Sequence, residues 1–159
     1  MLTTLNRTTG MPVILRDTCV GYVERAVPDR FYHRLEGVVV RKGIGLARWL
    51  PRADIRLIGR ECVLAAKSPQ RMPETEERHG VQVFLPTGQW TGMVSDAVLE
   101  GSSLCVVALE ISKGPLYSLL GSRTYASSYR FAGRSGGAVV QRLLTWAQLQ
   151  RLLREGEQK

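Results

Sequence analysis

Short apolar runs separated by glycine, proline and charged residues make up most of the first 140 residues. The runs Pro12–Leu15, 20–27 and 31–40 are each followed by a polar turn. Short strands at this regular spacing predict a small β-barrel or sandwich. Closure into a barrel would also remove strand edges, which a sheet this small can hardly protect otherwise.

The same pattern continues to residue 140. In the first half, further strands are predicted over 47–50, 55–58 and 61–65, with a short helical turn over 51–54. In the second half, strands are predicted over 81–85, 90–98, 104–111, 123–126 and 138–140, with a short helical turn over 116–121. Both halves are therefore expected to be all-β.

The hydrophobic period changes at the end of the chain. Leu143, Trp146, Leu149 and Leu153 recur at intervals of three and four residues, with arginine and glutamine on the other faces. This spacing predicts an amphipathic helix over 142–156. We expect its apolar stripe to pack on the second barrel or between the two barrels. A partner's groove or a membrane surface stays open as an alternative for this candidate interaction helix.

An internal repeat divides the chain. The residues from Gly21 to Val27 are echoed by Gly92 to Val98, and Lys42 by Lys113, always at an offset of 71. A repeat of this length predicts two similar units in tandem. The predicted organisation is a first domain over 1–68, a linker over 69–80, a second domain over 81–141 and the terminal helix over 142–156.

The motifs of the repeat resemble the PRC-barrel family. They are a V-x-L strand, a G-x-V-x-x-A-V strand, a strand ending in Lys/Arg-Gly, and Trp49-Leu50-Pro51 followed by D-I and I-G-R. The resemblance covers roughly residues 5–68 and 80–141. The family includes the cytoplasmic barrel of the photosynthetic reaction-centre H subunit and the C-terminal domain of the ribosome-maturation factor RimM. The resemblance implies two tandem small β-barrels that act as a protein-interaction or adaptor module.

The second copy departs from the family pattern at one place. It has no counterpart of Trp49-Leu50-Pro51, and Leu116-Tyr117-Ser118-Leu119-Leu120 stands there instead. We therefore expect the second barrel to be less regular, or its fourth strand to be displaced.

Positive charge is concentrated in the first copy. The whole chain carries a net charge of +8, and residues 1–70 hold 12 Lys/Arg against 6 Asp/Glu, a net of +6. Such an excess favours anionic partners. The candidate patch for an anionic partner consists of Arg25, Arg34, Arg41, Lys42, Arg48 and Arg52. It makes an RNA- or ribosome-associated factor the alternative function, although Phe31 and Trp49 are expected in the core rather than in base stacking.

Candidate reaction chemistry is sparse. The glycine-rich stretch 133–137 has the spacing of a serine-protease nucleophile motif, but Arg134 replaces the aspartate, so a turn is expected. Glu76, Glu77 and His79 do not have the spacing of a metal site. We therefore predict a protein that is not an enzyme, with no catalytic residue, metal or cofactor.

The expected partner is another protein, with RNA or the ribosome as the alternative. Membrane contact is disfavoured, and a homo-oligomer stays open. The N-terminus lacks the apolar segment of a signal peptide, and no apolar run approaches the ~20 residues that span a bilayer. Three cysteines without C-x-x-C spacing are typical of free thiols in a reducing compartment. These features together predict a cytoplasmic protein.

Overall fold

The computed structural model describes residues 1–74, 80–132 and 136–157. The chain is mostly β, with two curled half-barrel sheets and a C-terminal helix, which confirms the predicted fold class. None of the described helices is long and apolar enough to cross a bilayer.

The predicted elements of the first half occur in the predicted order. The full set is β1 (Leu2–Thr4), α1 (Leu5–Thr8), β2 (Pro12–Leu15), β3 (Thr18–Pro28), β4 (Leu35–Arg41), β5 (Arg48–Pro51), a 3-10 turn (Arg52–Asp54), β6 (Ile55–Ile58), β7 (Val63–Ala65) and β8 (Gln70–Arg71), of which β1, α1 and β8 are additional. The last of these lies in the predicted linker, where Trp49 of β5 pairs with Gln70.

The second half has a matching set of strands. They are β9 (Gln82–Phe84), β10 (Trp90–Glu100), β11 (Val106–Ser112), α2 (Pro115–Leu119), β12 (Thr124–Ala126), β13 (Tyr129–Ala132) and β14 (Gly137–Val140), followed by α3 (Trp146–Glu157). Strand β13 was not predicted, although Tyr129 and Phe131 alternate with Arg130 and Ala132 as in a strand with one exposed face.

The two sheets have the same strand order. The first runs β6-β7-β2-β3-β4-β5-β8, and the second runs β13-β14-β9-β10-β11-β12, with β1 paired to the end of β10. Both contain one parallel pair at the same place, β2 with β7 and β9 with β14. The repeat in the sequence is therefore a repeat of topology.

A β-bulge occurs at the same position of both copies. In the first sheet Val13 pairs with Gly21 and Ile14 with Cys19, so Val20 is the extra residue. In the second sheet the register shifts between Trp90 and Gly92. A bulge bends its strand and increases the local twist, which curls each sheet at the same point.

The fourth strand of the second copy is β12. Ala126 pairs with Leu109 and Thr124 with Ile111, as Leu50 pairs with Val38 in the first copy. The segment 116–120, predicted as part of a short helical turn, lies in α2 and the turn after it. The second copy therefore keeps its fourth strand and has a longer connection before it.

The chain forms two compact units. One comprises Met1–Glu76 with Ala97–Val107, and the other comprises Glu77–Asp96 with Ala108–Lys159. The tip of the β10–β11 hairpin thus belongs to the first unit, where the Leu35 N–H donates to the Leu104 carbonyl at 2.9 Å. The core of the first unit includes Val13, Val38, Leu50, Ile58 and Val63, and that of the second includes Val83, Leu109, Ile111, Val140 and Leu149.

Candidate interaction surface

Five of the six basic residues of the predicted patch lie near the ends of β4, while Arg25 of β3 pairs with Val39 inside β4. Arg41, Lys42 and Arg48 are at its carboxyl end, and Arg34 directly precedes its first residue. Seven residues of extended strand separate Arg34 from Arg41, which corresponds to ~23 Å. The five residues near the ends of β4 therefore form two groups, which we call the loop-end group and the turn-end group.

The loop-end group includes an arginine that the sequence analysis did not select. Arg48 of β5 pairs in register with Arg71 of β8, and both side chains are exposed. Lys42 and Arg48 line a groove of about 400 Å³ together with Leu46 and Cys19. Among the described residues no acidic partner faces Lys42, Arg48 or Arg71. Arg71 was missed because it lies in the segment predicted to be a linker.

Arg41 contributes little free charge to this group. Its Nε donates to Glu24 Oε2 at 2.7 Å, and its Nη1 donates to the Gly45 carbonyl at 2.8 Å. The hydrogen bond from Arg41 lowers the pKa of Glu24, to which Arg25 also contributes by its charge. Arg41 therefore holds the β4–β5 loop in place. The available positive charge of the loop-end group is carried by Lys42, Arg48 and Arg71.

The turn-end group lines a second cleft in the first unit. Arg34 and Arg52 border a space of about 520 Å³ with Glu36, Ser102 and Ser103. Arg52 Nη2 donates to the Ser103 carbonyl at 2.8 Å. Because Glu36 shares this cleft, its net charge is lower than that of the loop-end group.

Glu100 fixes the turn that borders this cleft. Its Oε2 accepts from the backbone N–H groups of Ser102 at 3.1 Å and Ser103 at 2.6 Å, and from the Ser102 hydroxyl at 2.7 Å. Burial by itself would raise the pKa of Glu100, but these hydrogen bonds, with one from the Met1 ammonium, hold it well below its usual range. The turn is therefore held by an ionised carboxylate.

Apolar side chains project from one equivalent connection in each copy. These are the β4–β5 loop (residues 42–47) and the β11–β12 connection (residues 113–123), which both begin with Lys-Gly. In the described part of the chain, the five most exposed large apolar residues all lie there, from 73% exposure for Leu116 to full exposure for Ile44. The other three are Leu46, Leu119 and Leu120. A bulky apolar residue flanked by glycines, as at Ile44, was the sequence signal for this feature.

The terminal helix begins later than its hydrophobic period predicts. The Thr145 hydroxyl accepts from the Gln148 N–H, and the Gln148 side chain accepts from the Thr145 N–H, which is a capping box. The Leu144 N–H donates to the Tyr125 carbonyl at 2.8 Å, in a bridge to β12. This pairing keeps the residues before Thr145 extended, so the helix starts at Trp146 rather than at residue 142.

The candidate interaction residues of the helix differ in accessibility. Leu149 is fully buried, while Leu143 and Leu153 are half-buried. Trp146 is 39% exposed and packs against Tyr125 with ring centroids 5.2 Å apart. Leu149 thus packs inside its own unit, and of the four candidate residues Trp146 offers the most area to a partner.

A buried carboxylate in the second unit was missed by the sequence analysis. Glu110 Oε1 accepts from Ser95 at 3.0 Å, and Oε2 accepts from the Tyr125 hydroxyl at 3.3 Å. Arg123 lies 3.8 Å from Oε1. Burial, and then the charge of Glu110, raise the pKa of Tyr125. The sequence signal for this buried carboxylate was a single glutamate inside the otherwise apolar run 104–111.

Two of the segments considered for chemistry are only partly described. Glu76, Glu77 and His79 lie outside the described residues, as do residues 133–135 of the glycine-rich stretch. Within the described ranges, no three His, Cys, Asp or Glu side chains come together as a metal site requires. Cys19, Cys62 and Cys105 are half-buried free thiols.

No protein-family model matches the chain, and no curated protein shows significant similarity to it. The functional argument therefore depends on the topology and on the surface of each unit.

Proposed function

We propose that this chain is a non-enzymatic interaction or adaptor module built from two PRC-barrel-like units. The shared strand order and the shared bulge support a common origin of the two copies. The PRC-like motifs of the sequence supply the family assignment. An adaptor requires a stable framework and a separate contact surface, and each copy has both.

The observation that carries this proposal is the position of the exposed apolar residues. Surface apolar residues scattered singly need no explanation, whereas a cluster on a protein surface marks a contact site. Here Ile44 and Leu46 project from one connection, and Leu116, Leu119 and Leu120 project from its counterpart. We infer that these two connections are the contact sites.

The test is fractionation of the protein from the cells that produce it. We expect the wild-type chain to co-fractionate with a larger component, and the variants Ile44→Ser/Leu46→Ser and Leu116→Ser/Leu119→Ser/Leu120→Ser to shift towards the free chain. The control is Met93→Ser/Leu152→Ser, which removes exposed apolar area outside both connections. A free wild-type chain, or loop variants that fractionate like wild type, would contradict the proposal.

The loop-end group favours an RNA- or ribosome-associated factor as the second candidate function. Lys42, Arg48 and Arg71 are exposed cations near one another, and phosphate contacts by such residues weaken steeply with salt. Binding to ribosomal RNA or subunits should be detectable at roughly 50 mM salt and lost as the salt concentration rises. Absence of binding at the lower concentration would eliminate this candidate.

A further inference from the structure

We propose that the β4–β5 loop of the first unit binds the surface of an anionic lipid bilayer. Ile44 and Leu46 would enter the boundary between headgroups and acyl chains, while Lys42, Arg48 and Arg71 contact lipid phosphates. This inference deepens the proposed function, on which it depends, because it names the partner of one of the two contact sites.

The shape of the loop favours a partner with a deformable, continuous surface, such as a bilayer. Ile44 is fully exposed and Leu46 is 84% exposed, and they alternate with Gly43 and Gly45 at a tip. A β-carbon on Gly43 would meet no atom within 4 Å, so the tip is open on that side. Projecting aliphatic side chains of this kind bury their area by insertion, as they do when they enter the acyl boundary of a membrane.

The loop is also held in place at its base. Arg41 donates to the Gly45 carbonyl at 2.8 Å while its Nε is bound to Glu24. A second backbone hydrogen bond runs from the Gly45 N–H to the Lys42 carbonyl at 3.1 Å. Holding the loop in this form lowers the entropy cost of binding, because the apolar tip is already presented.

The charge around the tip fits an anionic bilayer. Lys42, Arg48 and Arg71 surround the loop and have no acidic partner among the described residues. Each such cation near an anionic bilayer strengthens binding roughly fivefold. Protein interfaces instead have charge-depleted cores with aromatic residues, and single-stranded RNA sites need aromatic stacking platforms. Residues 42–47 include no aromatic side chain and Trp49 is buried, while the exposed Tyr22 pairs with Arg41 at the base of the loop. Tyrosine is itself enriched at membrane interfaces.

The equivalent connection of the second copy has the same character. Leu116, Leu119 and Leu120 are exposed there, Tyr117 is half-exposed, and Lys113 precedes them. Tyrosine is enriched where proteins meet the membrane interface. Two diverged connections have thus kept the same combination of exposed aliphatic residues after Lys-Gly, although their lengths differ.

Vesicle co-sedimentation of the full chain tests this inference. We expect binding to vesicles of phosphatidylcholine with about one third phosphatidylglycerol, and much weaker binding to phosphatidylcholine alone. Ile44→Ser/Leu46→Ser should weaken binding by roughly tenfold or more. Lys42→Gln/Arg48→Gln/Arg71→Gln should weaken it by up to roughly a hundredfold and reduce its salt dependence. The control Met93→Ser/Leu152→Ser should bind like wild type.

Two results would overturn the inference. One is no sedimentation with anionic vesicles at low salt, and the other is equal sedimentation of the Ile44→Ser/Leu46→Ser variant and wild type. The protein could fail to bind vesicles while its co-fractionation in cells still requires Ile44 and Leu46. That result would overturn the lipid assignment and leave the proposed interaction function in place. If the protein neither binds vesicles nor requires Ile44 and Leu46 for co-fractionation, the lipid assignment and the proposed function are both wrong.

Discussion

The backbone of Gly21 lies directly against the side chain of Val40. A β-carbon on Gly21 would be 2.7 Å from Val40 Cγ1, and the φ angle of Gly21 is +153°. The second copy repeats this relationship, since a β-carbon on Gly92 would be 2.6 Å from the Ser112 carbonyl oxygen and 3.1 Å from Ile111 Cγ2. Each copy thus requires glycine at the bulge, where β3 lies close to β4 in the first copy and β10 lies close to β11 in the second.

Replacing either bulge glycine should destabilise its unit. We expect Gly21→Ala and Gly92→Ala to lower the free energy of unfolding by about 2–4 kcal/mol, because backbone strain and overlap act together. Gly88→Ala is the control, since Gly88 has a φ of +84° but a β-carbon added there would meet no atom within 4 Å; it should cost about 1 kcal/mol. Urea unfolding measures all three, and equal costs would contradict the close-packing account.

Acid should weaken the turn that Glu100 holds. The folded-state pKa of Glu100 lies below its ordinary value of 4.5, so its stabilising contribution is present above about pH 4.5 and is lost as the pH falls through the folded-state value. Glu100→Gln should lower the free energy of unfolding by about 1–3 kcal/mol at pH 7 and flatten its dependence on acidic pH.

Glu61→Gln is the matched control for Glu100, because Glu61 is exposed. It should leave both the stability and its pH dependence unchanged. Urea unfolding at a series of pH values from neutral to acidic is the measurement. Parallel pH profiles for wild type and Glu100→Gln would show that the carboxylate does not hold the turn.

Alkaline titration should identify Tyr125. Burial and the charge of Glu110 raise its pKa above the ordinary 10.0, so its contribution to stability is present below pH 10 and is lost as the pH rises through the folded-state value. The tyrosinate absorbance of wild type minus that of Tyr125→Phe should therefore titrate above pH 10. Glu110→Gln should shift this step downward, and a step at the ordinary value in wild type would contradict the buried pair.

The docking of α3 should depend on one leucine. Leu149 is fully buried, whereas Leu152 is 36% exposed on the same helix. We expect Leu149→Ala to cost about 2–5 kcal/mol, through lost burial and the cavity left behind, and Leu152→Ala to cost less than about 1 kcal/mol. Thermal unfolding with hydrogen exchange of the helix amides measures both. Similar costs for the two variants would show that the helix is not docked through Leu149.

Local sequence patterns were sufficient to predict most of the strands. The short apolar runs and the repeat predicted the strands from β2 to β7 and their counterparts other than β13, because period and turn chemistry are local signals. The start of α3 was placed too early because the bridge between Leu144 and Tyr125 depends on a distant strand. The strand predicted over 123–126 is β12, but its equivalence to the Trp49-Leu50-Pro51 strand was not recognised, because the longer connection at α2 breaks the constant offset of 71.

The surface was less predictable than the framework. Five of the six candidate cations are exposed and Arg52 is half-exposed, but their separation along β4 and the salt bridge from Arg41 to Glu24 depend on strand register. Register also places Arg71 beside Arg48, and Tyr125 beside the buried Glu110. A single sequence shows which residues are apolar or charged, whereas pairing across strands determines which of them act together.

Site-specific photo-crosslinking in the producing cells tests the central claim that the two connections are the contact sites. A photoreactive amino acid would replace Ile44 or Leu119 in turn, with the exposed Glu61 as the control position. The account predicts discrete crosslinked products, to lipid or to protein, from position 44 and from position 119, and none from position 61. Absence of products at both connections, or equal products at position 61, would contradict it.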